Sequence, residues 1–132
     1  MEVVFHCSAK AQKSGKKSSH RILDACDEVQ QILRLDPERG LLIPNFENIR
    51  KMRVAAPGLN VGKSGGYRLI YTAQEMDDMI RIVLLETYFK GDREDLTKGE
   101  YKTLAGTAKA ILSNPMMHDW SDPEELQEVD DN

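Results

Sequence analysis

Three strand-like segments follow one another in the middle of the chain, and this run constrains the fold more than any other feature. Residues 49–55, 67–73 and 80–88 are rich in β-branched and aromatic side chains. A glycine-rich turn over residues 57–66 and an acidic turn over residues 74–78 separate them. The third segment is almost continuously apolar, which is typical of a strand covered on both faces. Consecutive strands joined by short turns pair antiparallel, so we predict a three-stranded meander.

Helical periodicity occurs on both sides of this meander. Apolar residues recur every three or four positions over residues 22–33 and again over residues 98–112, which predicts two amphipathic helices. Thr97 or Asp95 can cap the start of the second helix, and Asn114-Pro115 ends it. The apolar stripe of that helix is formed by Tyr101, Leu104, Ala105, Ala108, Ile111 and Leu112.

Two shorter segments complete the predicted architecture. Residues 2–7 combine β-branched and aromatic residues and predict a first strand, whereas the apolar residues Leu41-Leu42-Ile43 indicate a connection or a short helix. Helices and strands that are kept apart along the chain favour the α+β class. We therefore predict a small antiparallel sheet, made of the N-terminal strand and the meander, with an N-terminal helix or helices and a C-terminal helix.

The charge is unevenly distributed. The net charge is −4, but residues 1–115 contain all 18 Lys and Arg residues and 15 of the 22 acidic residues. The remaining seven acids lie in residues 116–132. We predict a mildly basic domain over residues 1–115 and an acidic C-terminal tail over residues 116–132, so the overall negative charge does not argue against a nucleic-acid partner.

Composition and the cysteine count indicate a cytoplasmic protein. Hydrophobic residues make up 40 % of the chain, which is enough for a core, and no apolar run approaches the ~18 residues that a membrane span needs. The first residues lack the basic and long apolar regions of a signal peptide. Cys7 and Cys26 are the two cysteines and form no disulfide framework. We expect no association with a membrane.

Neither a nucleotide-binding loop nor a metal site is predicted. Gly62-Lys63-Ser64 resembles the end of a P-loop, but Pro57 occupies the position of its first glycine and a strand follows instead of a helix. His6 and Cys7 are adjacent and point to opposite faces of a strand, and the chain contains no HxxxH or CxxC pair. We expect no metal and no small-molecule cofactor.

Cations on the predicted sheet are the strongest chemical signal. Arg68 lies on the second strand of the meander, and its guanidinium is a permanent cation with a rigid fork of donors that suits phosphate. The neighbouring strand carries Arg50, Lys51 and Arg53, and Lys90 and Arg93 follow the third strand. Two interpretations are open. The cations form a phosphate-binding cluster, or they form a solvated surface whose charges are neutralised by carboxylates, the candidates being Glu47, Glu86, Asp92 and Asp95.

Two motifs in this region carry a resemblance to a known family. They are KSGGYRLIY at residues 63–71 and the pair YFK at residues 88–90 with EDLT at residues 94–97. In this order after a basic strand, they resemble the RelE/HigB branch of the RelE/ParE toxin superfamily. The resemblance covers about residues 49–112. It implies the toxin of a type II toxin–antitoxin system, which enters the ribosome and cleaves mRNA without a metal ion, with an antitoxin protein as its other partner.

The resemblance also implies roles for individual residues. Arg68 would stabilise the transition-state phosphate, and Lys51 and Arg53 would act as base or phosphate clamps on the basic strand. Lys90 and Arg93 would supply cations after the last strand. Tyr101 matches a tyrosine that stacks on a base in some members, although a core tyrosine explains it equally well. Further RNA contacts are expected from Arg50, Arg53 and Lys63.

Two other functions remain open at the level of sequence. A ParE-like relative would inhibit DNA gyrase without nuclease chemistry, and a non-catalytic binding module would use the same scaffold. The candidate site contains no histidine, because His6 and His20 lie far upstream. The lack of a histidine favours a site in which lysine and arginine side chains carry out the chemistry.

Overall fold

The computed structural model describes residues 2–8, 11, 26–54, 66–91 and 93–115. These residues form five strands and two helices, which confirms the α+β class. In chain order the elements are β1 (Glu2–Cys7), α1 (Cys26–Leu35), β2 (Leu41–Leu42), β3 (Ile49–Val54), β4 (Tyr67–Met76), β5 (Met79–Phe89) and α2 (Lys98–Ser113). Neither described helix is long and apolar enough to cross a membrane.

The five strands form one sheet in the order β1-β5-β4-β3-β2. The meander predicted from the sequence is confirmed, since β3 pairs with β4 and β4 pairs with β5, both antiparallel. β1 differs from the expected arrangement, because it pairs with β5 in parallel. No hairpin joins β1 to β5, so their relative direction is set by the long connection through α1 and the other strands.

The segment predicted as a connection or short helix contains the edge strand β2, so that prediction was wrong. Leu41 and Leu42 pair with Lys51 and Arg50 of β3. The chain enters this strand through Gly40, where a Cβ atom would lie 2.9 Å from the Tyr71 ring and 3.0 Å from the Lys51 carbonyl oxygen. A two-residue strand has no periodicity that a sequence can display, and it forms because a partner strand supplies its hydrogen bonds.

The turn between β4 and β5 is tighter than predicted. Only Asp77 and Asp78 form the turn, and both have positive φ angles, 54° and 62°. Two such residues in succession match the two-residue hairpin turn whose twist suits flanking antiparallel strands. Further along, Ile70 pairs with Glu86 and Tyr71 with Leu84, which leaves one extra residue in β5 as a bulge.

Each face of the sheet carries its own apolar core. On one face, α1 packs its Val29 and Leu33 against strand residues that include Leu69 and Tyr71. On the other face, α2 packs against the alternate strand residues, among them Ile70. Because side chains alternate along a strand, Arg68 lies on the same face as Ile70 and α2. The buried residues of α2 are Tyr101, Leu104, Ala108 and Ile111.

The start of α2 is fixed by a capping box. The Thr97 hydroxyl accepts a hydrogen bond from the Glu100 amide at 3.1 Å, and the Glu100 carboxylate accepts one from the Thr97 amide at 2.9 Å. The prediction of Thr97 as the cap is confirmed. The predicted start of the first helix before Cys26, the glycine-rich turn up to Gly65 and the acidic tail beyond Pro115 lie outside the described residues.

Candidate phosphate-binding site

Arg68 is a buried cation at the centre of the sheet. It lies in β4 directly opposite Arg53 of β3 and Tyr88 of β5, and it is only 8 % exposed. One guanidinium nitrogen lies 3.5 Å from the Tyr67 carbonyl oxygen. A permanent charge is expensive to remove from water, so a buried arginine is typical of a position where its charge has a specific use.

Arg68 lines a cavity of about 360 Å³ together with three further cationic side chains. The β3–β4 register places Arg53 opposite Arg68, and Lys51 lies two residues earlier on the same face of β3. Arg39, which precedes β2, and Leu41 of β2 also line the cavity. The complete lining within the described residues is Arg39, Leu41, Lys51, Met52, Arg53 and Arg68. The structure therefore brings together three of the predicted site residues and adds Arg39.

Asp95 supplies a negative charge at the edge of this group. Its Oδ1 atom lies 3.2 Å from the Lys51 ammonium and also accepts hydrogen bonds from the Tyr101 hydroxyl at 2.5 Å and the Leu96 amide at 2.8 Å. Partial burial alone would raise the pKa of Asp95, but these three donors outweigh it and hold that pKa below its usual value. Asp95 is therefore an anion under physiological conditions.

The other predicted counter-ions occupy different places. Glu86 is buried on the α2 face, opposite Ile70 in the sheet. Glu47 lines a second cavity, of about 570 Å³, beside the C-terminal half of α2. Asp92 lies outside the described residues. Asp95 forms an ion pair with Lys51, which lines the Arg68 cavity.

A tyrosine hydroxyl lies beside the same cations. The Tyr88 hydroxyl is buried, and no described atom meets the geometry of a hydrogen bond to it. Burial raises the pKa of Tyr88, and the nearby positive charges of Lys51 and Arg68 offset part of this rise. Tyr88 thus presents a neutral phenol next to the basic cavity.

The side chains of Tyr101 and Arg93 both make hydrogen bonds or packing contacts with other residues of the protein. The Tyr101 ring is buried against Phe46, with 5.8 Å between ring centroids, and burial together with the bond to Asp95 raises the pKa of its hydroxyl. Arg93 donates two hydrogen bonds to Glu100, at 2.9 and 2.5 Å, and one to the Asp95 carbonyl at 3.1 Å. In this arrangement Tyr101 packs in the core, and Arg93 secures the start of α2.

The remaining predicted residues are not brought into the cavity. Arg50 pairs with Tyr71, on the opposite face from Lys51, and donates to the carbonyl oxygens of Glu38 at 3.1 Å and Gly40 at 2.7 Å. Lys90 closes the end of the β4–β5 hairpin through its amide, which donates to the Gly66 carbonyl at 3.1 Å. It is not among the described residues that line the cavity. Lys63 lies outside the described residues.

Sequence reasoning did not assign a role in the site to Arg39, Tyr88 or Asp95. Arg39 precedes a strand too short to recognise, so nothing in the sequence placed it beside β3. Tyr88 and Asp95 both occur in the motifs that carry the family resemblance. Asp95 was considered as a cap or counter-ion, and the structure shows it in contact with a site lysine.

No protein-family model matches the chain. Among solved structures, the chain is similar to the E. coli toxin RelE in the free state, in a variant with two arginines replaced by alanine. The TM-score is 0.50 and the identity is 17 %, and the match covers 71 % of this chain and 90 % of that chain. The chain has the RelE fold. Within that fold, β3 and β4 carry Lys51, Arg53 and Arg68.

The side chains around the cavity differ in chemistry from a metal site. Across the described parts of the chain, no group of three or more His, Cys, Asp or Glu side chains is arranged to hold a metal ion. The chemistry that these residues offer is electrostatic: four cationic side chains line the cavity, and one carboxylate and one neutral phenol lie beside them. A phosphodiester is the common biological group that such a site suits.

Proposed function

We propose that the protein is the toxin of a toxin–antitoxin system and acts as a metal-independent endoribonuclease on mRNA in the ribosome. The observation that carries this proposal is the basic cavity around Arg68, built on β3 and β4 of a RelE fold. The cognate antitoxin, the ribosome and mRNA are the proposed partners, and the cytoplasm is the proposed location.

The proposed reaction needs charge stabilisation more than proton carriers. The 2′-hydroxyl of one nucleotide attacks the adjacent phosphorus in line, and the bond from phosphorus to the 5′-oxygen of the next nucleotide breaks. Negative charge develops on the phosphate oxygens in the transition state. Donors that are already held in place stabilise such charge without reorganisation, and this is the largest catalytic contribution in many enzymes.

The positions of the cations suggest a division of roles. Arg68 is buried and held by the central strand β4, so it is the proposed ligand of the scissile phosphate. Arg53 is exposed beside it, and Arg39 lines the same cavity, so both are proposed to bind flanking phosphates. Lys51 forms an ion pair with the Asp95 carboxylate at 3.2 Å, and it is proposed to clamp a phosphate.

Other predicted residues have different proposed roles. Lys90 and Lys63 are proposed to contact RNA at the margin of the site. The contacts of Arg50 and Arg93 with protein acceptors favour structural roles, and the burial of Tyr101 favours a role in the core.

Substitution of Arg68 tests the proposal. Induction of the wild-type protein should arrest growth, and a translation extract that receives the protein should contain cleaved message. Arg68→Ala should abolish both effects, and so should Arg68→Met, which preserves much of the buried volume. Lys102→Ala, on the exposed face of α2, is the matched control and should remain toxic. Circular dichroism should show that all variants are folded.

Two results would contradict different parts of the proposal. A folded Arg68→Met variant that still cleaves message would overturn the role of Arg68 and leave the nuclease activity in place. Intact message together with inhibited DNA supercoiling would identify a gyrase inhibitor.

A further inference from the structure

Asp95 joins three parts of the molecule through one oxygen atom. Its Oδ1 accepts from Lys51 of β3 at 3.2 Å, from Tyr101 of α2 at 2.5 Å and from the Leu96 amide at 2.8 Å. Lys51 also lines the cavity that contains Arg68. The carboxylate therefore lies within ion-pair distance of the basic site while it is anchored outside that site.

The anchor of Asp95 does not depend on Lys51. The Leu96 amide precedes a helix that its own capping box secures, and the Tyr101 ring is buried in the core. These two bonds are the shorter ones. Lysine carries its charge on a flexible stem, and its bond to Asp95 is the longest of the three. Lys51 can therefore move to another anion while the Asp95 carboxylate stays in place.

A phosphate that enters the cavity competes with Asp95 for Lys51. The two side chains are 28 % and 52 % exposed, so water and ions reach the pair and an incoming anion can exchange with the carboxylate. From this geometry we infer that Asp95 is a built-in competitor of RNA, a fixed counter-ion that weakens the binding of RNA phosphate to the free protein. This inference rests on the proposed function, because it takes RNA as the ligand of the site.

Replacing Asp95 by Asn removes the charge and keeps an oxygen that can accept from Tyr101 and Leu96. We expect Asp95→Asn to bind single-stranded RNA about threefold tighter, the range for an exposed ion pair. The affinity should also depend more steeply on salt. Each additional phosphate contact changes the slope of log K against log salt by about 0.7 for single strands, and Lys51 would supply one such contact.

The experiment measures fluorescence anisotropy of a labelled single-stranded RNA with 2′-O-methyl riboses, which the proposed reaction cannot cleave, over a series of KCl concentrations. Glu94→Gln is the matched control, since it removes one charge from the neighbouring exposed residue. Asp95→Glu retains the charge and should retain the weaker binding. Thermal unfolding checks that each variant is folded.

The inference is supported if Asp95→Asn binds more tightly and with a steeper slope than both wild type and Glu94→Gln. It is overturned if Asp95→Asn binds like Glu94→Gln, or more weakly than wild type. Arg68→Met separates this failure from a failure of the proposed function. Weaker binding by Arg68→Met with no effect of Asp95→Asn overturns only the counter-ion role, and no RNA binding by any of the proteins overturns both.

Discussion

Arg53 and Arg68 are direct cross-strand partners, one on β3 and one on β4, and their side chains share a face of the sheet. Like charges placed directly opposite each other destabilise a sheet. In this register the two guanidinium groups repel each other, and an anion bound between them would reduce that repulsion.

We expect Arg53→Thr to stabilise the fold and weaken RNA binding. Threonine suits a strand and removes the repulsion, so the free energy of unfolding should rise by about 0.5 kcal/mol at low salt. Urea denaturation at low and high KCl measures this, and the gain should shrink at high salt because ions screen the repulsion. Arg53→Lys retains the charge and is the control. A loss of stability in Arg53→Thr at low salt would contradict the prediction.

Comparing Tyr71 with Tyr88 tests how much the hydrogen bonds of a buried tyrosine hydroxyl contribute to the stability of the fold. The Tyr71 hydroxyl accepts from the Gly40 amide at 2.8 Å and donates to the Pro37 carbonyl at 2.9 Å. Tyr71→Phe leaves the Gly40 amide without this acceptor and should lower the free energy of unfolding by about 1–3 kcal/mol. Tyr88→Phe removes a hydroxyl that has no described partner of good hydrogen-bond geometry, although a side-chain contact with Lys51 offsets part of the rise that burial causes in its pKa, so its effect on stability should be smaller than that of Tyr71→Phe.

Urea denaturation of both tyrosine variants provides the measurement. A Tyr71→Phe variant that loses no stability would show that the contacts of Tyr71 with the segment before β2 do not stabilise the fold. That segment carries Arg39, which lines the cavity. Tyr71→Phe should therefore also weaken RNA binding, even under conditions where the variant is fully folded.

Gly106 and Gly40 should respond to alanine in opposite directions. A Cβ atom at Gly106, in the exposed middle of α2, would meet nothing within 4 Å. Gly106→Ala should therefore stabilise the protein by about 1 kcal/mol, the difference in helix propensity. A Cβ atom at Gly40 would lie 3.0 Å from backbone, so Gly40→Ala should destabilise the protein. Thermal unfolding measures both, and a destabilised Gly106→Ala variant would contradict the prediction.

Glu100, in the first turn of α2, should make the stability of the protein depend on pH in the acidic range. The hydrogen bonds from Arg93, followed by that from the Thr97 amide, lower the pKa of Glu100 to about 2. A glutamate in the unfolded chain titrates near ~4.3, so the folded state binds the proton less tightly. The contribution of Glu100 to stability is therefore complete above the unfolded value and is lost as the pH falls from about 5 towards 2.

Urea denaturation of wild type and Glu100→Gln between pH 6 and pH 2 tests this dependence, with Glu94→Gln as the control for removing a nearby charge. The wild type should be the more stable protein at pH 6, and the difference should shrink as the pH falls. A difference that stays constant over this range would show that the ion pair with Arg93 does not shift the titration of Glu100.

Much of the architecture was predictable because local patterns encode it. The alternation of β3 placed Lys51 and Arg53 on one face, and the register with β4 brings Arg68 to the same face. Thr97, one of the two predicted caps, is the N-cap of α2 and forms a capping box with Glu100. The same alternation separates Arg50 from Lys51, and Arg50 binds backbone carbonyls on the other face. The phase of a residue within a strand is a local property, and the sequence displays it directly.

The partners of these residues depend on contacts between distant segments. The sequence by itself determined the meander, the two helical stripes and the face on which Arg68 lies. Only the tertiary structure decided the parallel direction of β1, the strand at Leu41–Leu42 that brings Arg39 to the cavity, and the contact of Asp95 with Lys51 across 44 positions of sequence. Periodicity records which side of an element is buried, whereas the order of strands and the pairing of charges are set by long-range packing that no local pattern contains.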